Sequence, residues 1–452
     1  MKKNKKEAVK RSLKYSILDG AFYSSMVGFG ESFFSAFAVF LKASNLQLGL
    51  LGSLPQALGS LTQLWTNKML ELFKSRKRLI IFSVFLQALM YIPVMLVFFF
   101  GTFKVQYLIL FVTLYWVFGM IPGPAWGSWM GDLVGEKERG SYFGKRNKIA
   151  GFVTFVAFML AGYLLQIYSH NNRNEYIGFL IIFIIALISR IGSLIYLSLQ
   201  YEPKYTLSNE AKFSFLDFVK QLQYRNYGRF VIFLCFVNFA VFISGPFFTP
   251  YLLYDLKFDY LTFTIVTAVA LVVKFMTMPA WGKLSDRYGT KKILAISTFM
   301  IAFVPLFWVF STNLTYLITL QVFSGFAWAG FEITTFNFIF DSTSPKKRAT
   351  CIAYYNLLNG AVILIGAILG GLIVRYNHLF WSRYYLVFIA SSLLRFIAAF
   401  AFVPLIKEVR KVKRISNKRL LIKVISIMPT MGMIHHIMPF KMAFIHFERK
   451  KN

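Results

Sequence analysis

Ionisable side chains are scarce in the apolar parts of this sequence, and three of them could transfer protons or pair with a charged solute. Glu31, Lys274 and Glu332 each lie inside a long hydrophobic run. An ionisable group in a membrane interior costs a few kcal/mol or more, so it tends to face a cavity or a partner. A carboxylate there can load and release a proton, whereas an amine suits an anion. The alternative for Glu31 is a hydrogen bond to a Tyr or a backbone carbonyl.

Two arginines also lie in apolar runs, at matching positions. Arg190 in "FIIALISRIG" and Arg395 in "FIASSLLRFI" each follow a Phe by seven residues. Their matching environments favour a shared structural role, in which each pairs with backbone carbonyls or a carboxylate nearby. A direct contact with a solute is the less favoured interpretation.

Two further candidates lie beside prolines. Trp126 follows Pro124 in "GMIPGPAWGSWMGD", and Asn238 precedes Pro246 in "NFAVFISGPFFTPYLLY". Prolines interrupt helices and free carbonyl groups, which a solute or a neighbouring side chain must then satisfy. The pattern fits binding or gating, although kinks with only a packing purpose and Trp residues that anchor a helix at the membrane interface are the alternatives.

The stretch "WGKLSDRYGTKK" places a compact group of charges and glycines between two apolar runs. Gly289 permits a tight turn, and the cations favour the side of the membrane with anionic lipids. The carboxylate of Asp286 needs a cation or a helix N-terminus as its partner. A solvated turn is the alternative. The motif consists of Gly282, Asp286, Arg287, Gly289, Lys291 and Lys292.

Internal repeats connect the two parts of the chain. Asp132 precedes Arg139 by seven residues, and Asp341 precedes Arg348 by the same spacing. Together with the arginine pair described above, these echoes occur in the same order and orientation, which indicates a duplication. The loop that corresponds to the charged stretch departs from its pattern at Asn67, Glu71, Leu72 and Lys74.

The elements that carry these residues are predicted to be membrane-spanning helices. Hydrophobic residues make up 57% of the 452 residues and charged residues 15%, and apolar runs of about 20 residues recur, each long enough to cross a bilayer. The sequence predicts an all-α polytopic membrane protein with twelve spans at 17–41, 46–73, 79–101, 106–131, 149–169, 176–200, 230–254, 260–282, 293–311, 315–340, 351–374 and 384–406.

The distribution of basic residues predicts the orientation. The two ends and the even-numbered connections carry forty Lys and Arg residues, whereas the odd-numbered connections carry six. The positive-inside rule therefore predicts a multi-pass protein of the cytoplasmic (inner) membrane with both termini in the cytoplasm. The formal charge of +32 is spread over seven separate segments, which argues against a nucleic-acid partner.

The duplication, the topology and the charged motif resemble those of the major facilitator superfamily of secondary transporters. The resemblance covers residues 15 to 406 and implies two pseudo-symmetric six-helix halves. It also implies that spans 1, 4, 7 and 10 surround a central pathway, so that Glu31 and Glu332 could line it, with span 8 and its Lys274 beside it. The motif near Asp286, with its neighbours at Asp132, Arg139, Asp341 and Arg348, would then form a cytoplasmic gate. The resemblance also implies that Asp286 contacts the start of span 11, so Arg348 and the backbone near Cys351 are its expected partners.

This resemblance leads to a set of expectations about function. Residues 1–200 form the first half, 201–229 a cytoplasmic linker, 230–406 the second half and 407–452 a basic cytoplasmic tail. We expect transport of a small solute by alternating access, with proton coupling favoured; an uncoupled facilitator or a non-transporting sensor or scaffold is the alternative. The sequence contains no enzyme motif, and we expect no cofactor and no metal site, although His435 and His436 are adjacent. A monomer is plausible.

Overall fold

The computed structural model describes residues 2–135, 138–170, 174–203, 214–343, 345–410, 412 and 416–427. Several predicted features lie outside this part of the chain. They include the side chains of Arg139 and Arg348, and the histidine pair in the tail. Every regular element among the described residues is helical. The all-α polytopic fold predicted from the sequence is therefore confirmed.

The first half consists of ten α-helices that follow the first six predicted spans. Its helices are split where Gly, Pro or short polar sequences interrupt the apolar runs. They are α1 (Lys2–Phe29), α2 (Phe34–Phe40), α3 (Asn45–Thr62), α4 (Thr66–Phe73), α5 (Arg76–Leu89), α6 (Tyr91–Leu96), α7 (Lys104–Met120), α8 (Pro122–Leu133), α9 (Arg139–His170) and α10 (Glu175–Ser198).

The second half follows a short helix in the predicted linker. Phe218 of that helix, α11, is buried beside Tyr227 and Tyr354, so this part of the linker packs on the second half. The helices are α11 (Phe215–Gln221), α12 (Asn226–Ser244), α13 (Phe248–Pro250), α14 (Tyr260–Tyr288), α15 (Thr290–Phe307), α16 (Leu314–Ser342), α17 (Pro345–Tyr376), α18 (Tyr385–Ile397) and α19 (Asn417–Ser426).

Ten helical segments of the described chain are long and apolar enough to cross a membrane. The first two predicted spans are not among them, and both contain breaks, as do some of the ten. The first run changes from α1 to a 3-10 turn at Glu31–Phe33 and then to α2. The second passes from α3 through a 3-10 turn at Gln63–Trp65 into α4. Prolines accompany the breaks in predicted spans 4 and 7. In span 4, α8 begins at Pro122, and in span 7 a 3-10 turn at Gly245–Phe247 follows α12.

The two halves meet along α3 and α17 on one side and along α9 and α14 on the other. A side chain at Gly49 of α3 would lie 2.7 Å from the carbonyl oxygen of Ala367 of α17, so only glycine permits this approach. Small residues allow close packing between membrane helices. We call the face with the start of α1 and the turn at Gly289 the terminal face. The opposite face, with the connections near Lys42 and Asn377, is the distal face.

Candidate functional site

A cavity of about 390 Å³ lies between the halves near the middle of the spans. The first half supplies a carboxylate, hydroxyl groups and an amide, and the second half supplies mainly apolar groups of α12 and the turn after it. A pocket walled by both halves can change shape when the halves move relative to each other. The residues that line it include Glu31, Ser32, Ser35, Gly52, Gln56, Trp116, Val241, Phe242, Gly245 and Pro246.

Glu31 lies in the break between α1 and α2, and this break sets its position. Its Oε2 accepts a hydrogen bond of 3.0 Å from the hydroxyl of Tyr115, which is buried on α7. The hydroxyl of Ser32 donates to the carbonyl oxygen of Val27, which the broken helix leaves without its usual partner. The hydrogen bond to a Tyr of the same half, considered above as the alternative for Glu31, is thus present. The carboxylate also borders the cavity.

Lys274 and Glu332 pair with each other within the second half. The Nζ of Lys274 on α14 lies 3.0 Å from Oε1 of Glu332 on α16, and their side chains are 23% and 43% exposed. Lys274 therefore neutralises Glu332. Among the described contacts, the hydrogen-bond partner of Glu31 is Tyr115.

Asn238 and Trp126 make contacts inside separate halves. The Nδ2 of Asn238 donates to the hydroxyl of Tyr355 at 3.1 Å and to Oδ1 of Asn359 at 2.7 Å. These bonds tie α12 to α17. Trp126 lies under the guanidinium of Arg146, which is 4.6 Å from its ring centroid, a cation–π contact. Trp126 therefore orients a cation of its own half.

The cation beside Trp126 belongs to a buried network that the sequence interpretation missed. Arg146 of α9 lies 3.5 Å from Asp19 of α1, and Asp19 accepts a bond of 2.7 Å from Ser193 of α10. Arg190 donates to Ser193 at 3.0 Å and to Gln87 at 2.5 Å. Asp19 lies at the edge of the first apolar run, in "SILDGAF". A carboxylate at this position was the sequence feature that could have indicated the network. The network ties together three helices of the first half and a Gln of α5.

Arg395 has a simpler environment at the matching position of the second half. It is 2% exposed, and its guanidinium donates to the carbonyl oxygen of Ile301 at 2.9 Å and to the hydroxyl of Ser244 at 3.2 Å. The two arginines thus both bond within their own halves, in agreement with a structural role. Their described partners differ, since Asp19 joins the network of Arg190, whereas Arg395 bonds to a carbonyl and a hydroxyl group.

On the terminal face of the second half, one tail residue pairs with two motif carboxylates. Arg410 lies 2.6 Å from Asp286 at the end of α14 and 2.6 Å from Asp341 at the end of α16. The hydrogen bond to Asp341, and then the one to Asp286, raise the pKa of the guanidinium above its ordinary value, against the effect of burial. The partner that the structure gives Asp286 is therefore a tail residue, and the expected partner Arg348 has its side chain outside the described part.

The rest of the motif forms the turn between α14 and α15. Gly289 has φ of +102°, and a side chain there would lie 2.5 Å from the carboxylate of Glu408, so both backbone and space require glycine. Glu408 accepts a bond of 2.8 Å from the backbone N–H of Lys291. Arg287 lies over the ring of Tyr288. Gly282 adjoins Ile333, and Lys292 borders a groove beside α19.

The first half has a similar arrangement on the same face. Arg76 at the start of α5 is 0% exposed and lies 2.7 Å from Asp132 at the end of α8. Its Nε lies 3.6 Å from Glu202, just after α10, and Glu202 accepts a bond of 2.8 Å from the backbone N–H of Arg76. Glu202 thus caps α5 as Glu408 caps α15. In each half, a carboxylate after the sixth predicted span accepts a hydrogen bond from the start of the third predicted span, which is α5 in the first half and α15 in the second.

The halves are closed against each other on the distal face. The hydroxyl of Tyr254 donates to the carbonyl oxygen of Val39 at 2.5 Å, and that of Tyr384 donates to Asn45 at 3.2 Å. A bond from Asn356 to Gln63 at 3.0 Å lies toward the terminal face. Phe336 of α16, toward the terminal face, is 56% exposed.

This architecture, with two helical halves around a shared cavity, defines a polytopic membrane protein. The sequence model of the Major Facilitator Superfamily matches residues 20–250 and 230–445. The chain therefore belongs to this family, as its motif and repeats predicted.

Comparison with known proteins agrees with this assignment. A segment of 111 residues is 26% identical to the efflux pump azaK of Aspergillus niger, and it covers 25% of this chain and 24% of that protein. Another of 135 residues is 27% identical to multidrug resistance protein 3 of Bacillus subtilis, covering 30% of this chain and 26% of that protein. The chain thus spans about a quarter of the length of these curated relatives.

Solved structures share the fold at low sequence identity. The crystal structure of the nucleoside transporter NupG is 16% identical, with a TM-score of 0.63 over 88% of this chain and 99% of that chain. The inward-facing structure of a bacterial homologue of the iron transporter ferroportin is 13% identical, with a TM-score of 0.63 over 88% of this chain and 98% of that chain. At these identities the similarity establishes the fold alone.

Proposed function

We propose that the protein moves a small solute across the cytoplasmic membrane by alternating access, with coupling to protons. The observation that carries this proposal is the placement of Glu31 at the edge of a cavity that both halves build. The distal contacts close one side of this cavity, and we infer that the other side opens toward the terminal face. A rocking motion that broke the distal contacts and joined the terminal ends would expose the same carboxylate to the other side.

The cavity favours one class of solute over others. It combines a carboxylate with the ring of Trp116 and with apolar groups of α12, an arrangement that suits an amphipathic cation. The names of the two relatives with matching segments refer to efflux and drug resistance. Lys274 does not offset this preference, because Glu332 neutralises it. Lipophilic cations are therefore the first solutes to test.

Solute counterflow in proteoliposomes tests the proposal. Vesicles loaded with unlabelled tetraphenylphosphonium should accumulate the labelled cation transiently through the purified protein, because exchange needs only binding and rocking. A thermal-shift screen of metabolites and drugs extends the set of solutes. If no stabilising solute undergoes counterflow, the sensor or scaffold alternative is favoured. Counterflow that persists without any response of net uptake to a proton gradient would instead indicate an uncoupled facilitator.

The proposed orientation places the terminal face in the cytoplasm. Thr312 on the distal side and Tyr224 in the linker are both exposed, and each can be replaced by cysteine in a chain without Cys235 and Cys351. A membrane-impermeant maleimide added to intact cells should label Thr312→Cys and should reach Tyr224→Cys only after the membrane is permeabilised. Labelling of the linker position in intact cells would contradict this orientation.

A further inference from the structure

A second pocket, of about 870 Å³, opens on the distal face and is separate from the central cavity. The connection between α2 and α3 forms one wall, and residues of the second half form the other. Its charged groups are Lys42 from the first half and Asp255, Arg375 and Arg383 from the second. The pocket therefore joins the two halves and has a formal excess of two positive charges.

This concentration of cations is unexpected on the distal face. The odd-numbered connections contain only six Lys and Arg residues, and three of them line this single pocket. Basic residues are scarce on the face that the positive-inside rule assigns to the exterior. Cations that served only to make the surface soluble would be spread over the distal face, whereas these three lie at one pocket.

The three cations have no carboxylate partner in the described part of the chain. None of Lys42, Arg375 and Arg383 takes part in an ion pair among the described residues. The carboxylate in the pocket, Asp255, instead accepts a bond of 2.6 Å from the hydroxyl of Ser382. Like charges that share a pocket repel one another, so they destabilise the closed distal face until an anion neutralises them.

One of these cations lies where α2 ends. Lys42 has φ of +63°, the left-handed conformation that commonly ends a helix, and its backbone N–H bonds to the carbonyl oxygen of Val39. The neighbouring contacts that close the distal face, from Tyr384 to Asn45 and from Tyr254 to Val39, lie at the same pocket. A ligand that bridged Lys42 to the arginines would therefore add to these contacts between the halves.

We propose that this pocket binds a small oxyanion with two or more negative charges, such as a phosphate- or carboxylate-bearing solute, and that the anion stabilises the form closed on the distal face. Two guanidinium groups suit the paired oxygens of such groups, and Lys42 supplies a third charge from the other half. The anion binds outside the central cavity, so the proposal does not depend on which solute is transported.

Citrate is the probe for the test, with chloride at matched ionic strength as the reference, since salt alone screens surface charges. Citrate should raise the thermal unfolding midpoint of the purified protein and bind saturably. Replacing Arg375 or Arg383 with Gln should weaken binding by about tenfold or more, the effect of one charge-assisted contact. The controls are Lys104→Gln and Lys257→Gln, which remove distal cations outside the pocket and should leave citrate affinity unchanged.

A second measurement tests the effect on conformation. Phe103 and Phe310 are 62% and 67% exposed on the distal sides of opposite halves, and spin labels at these positions report their separation. Citrate should increase the population with the shorter distance, and the combined Lys42, Arg375 and Arg383 to Gln variant should not respond. Equal effects of citrate and chloride, equal losses in the control variants, or binding without a shorter distance would overturn the proposal.

Discussion

Glu31→Gln should abolish accumulation of solute against its gradient while solute counterflow continues. The amide keeps an acceptor for the hydroxyl of Tyr115, which lies 3.0 Å from the carboxylate, so the break between α1 and α2 keeps its local bonding. A Gln side chain cannot bind or release a proton at this site. Binding and rocking therefore survive, but the driving proton is lost.

The expected effect is large. One net charge that moves through about 100 mV with each solute contributes roughly 2.3 kcal/mol, which sustains roughly a 50-fold concentration ratio. The Gln variant should approach a ratio of about one. Uptake into proteoliposomes with an imposed proton gradient measures this ratio, and an ionophore supplies the uncoupled reference.

Tyr115→Phe provides a matched comparison, because it removes the same hydrogen bond but leaves the carboxylate. If Glu31 carries the coupling proton, the Phe variant should still accumulate solute. If Glu31 only holds the helix break in place through Tyr115, both variants should lose transport and counterflow together. Accumulation by the Gln variant, or indifference of the unaltered protein to a collapsed proton gradient, would show that Glu31 is not the coupling group.

Arg76→Gln should cause a large loss of stability. Arg76 is fully buried between Asp132 and Glu202, and its removal leaves two carboxylates without their cation. Loss of one partner of a buried ion pair costs roughly 3–5 kcal/mol. The half-exposed Asp132 can recover solvation, so we expect a cost near the lower limit. The thermal unfolding midpoint of the detergent-purified protein measures the loss.

Arg78→Gln is the control for this change. Arg78 lies two residues further along α5 and is exposed, and exposed charges of this kind typically change stability by less than about 1 kcal/mol. Addition of Asp132→Asn to the Arg76 variant should restore part of the midpoint, because it removes a carboxylate whose ion-pair partner is lost. Equal midpoints for the Arg76 and Arg78 variants would show that the network does not hold the terminal ends of the first half together.

Each half has a charge network on the terminal face, and the two networks show what a sequence motif can and cannot predict. The charged stretch near Asp286 matched a known pattern, whereas the corresponding loop of the first half departed from it at Asn67 and Glu71. The structure nevertheless builds a network in the first half, from Arg76 and Glu202. Charge pairing depends on where side chains meet in space, so different positions along the chain can supply the same contact.

Partners of single charges were the least predictable features. Lys274 lies 58 residues from Glu332, and Arg410 lies 124 residues from Asp286. From the sequence, either Glu332 or Glu31 could have been the ion-pair partner of Lys274. Only the packing of α14 against α16 brings Lys274 to Glu332, and only the break at Gly30 places Glu31 beside Tyr115.

The sequence by itself determined the membrane location, the helical fold and the duplication, because hydrocarbon leaves a chain of long apolar runs no other way to satisfy its backbone. The tertiary structure alone decided which charges pair and which remain free. It brought Asp19 to Arg146 within one half and gathered Lys42, Arg375 and Arg383 around one distal pocket. Apolar patterning acts locally along each helix, but electrostatic pairing falls off over a few ångströms and so depends on the relative positions of different helices.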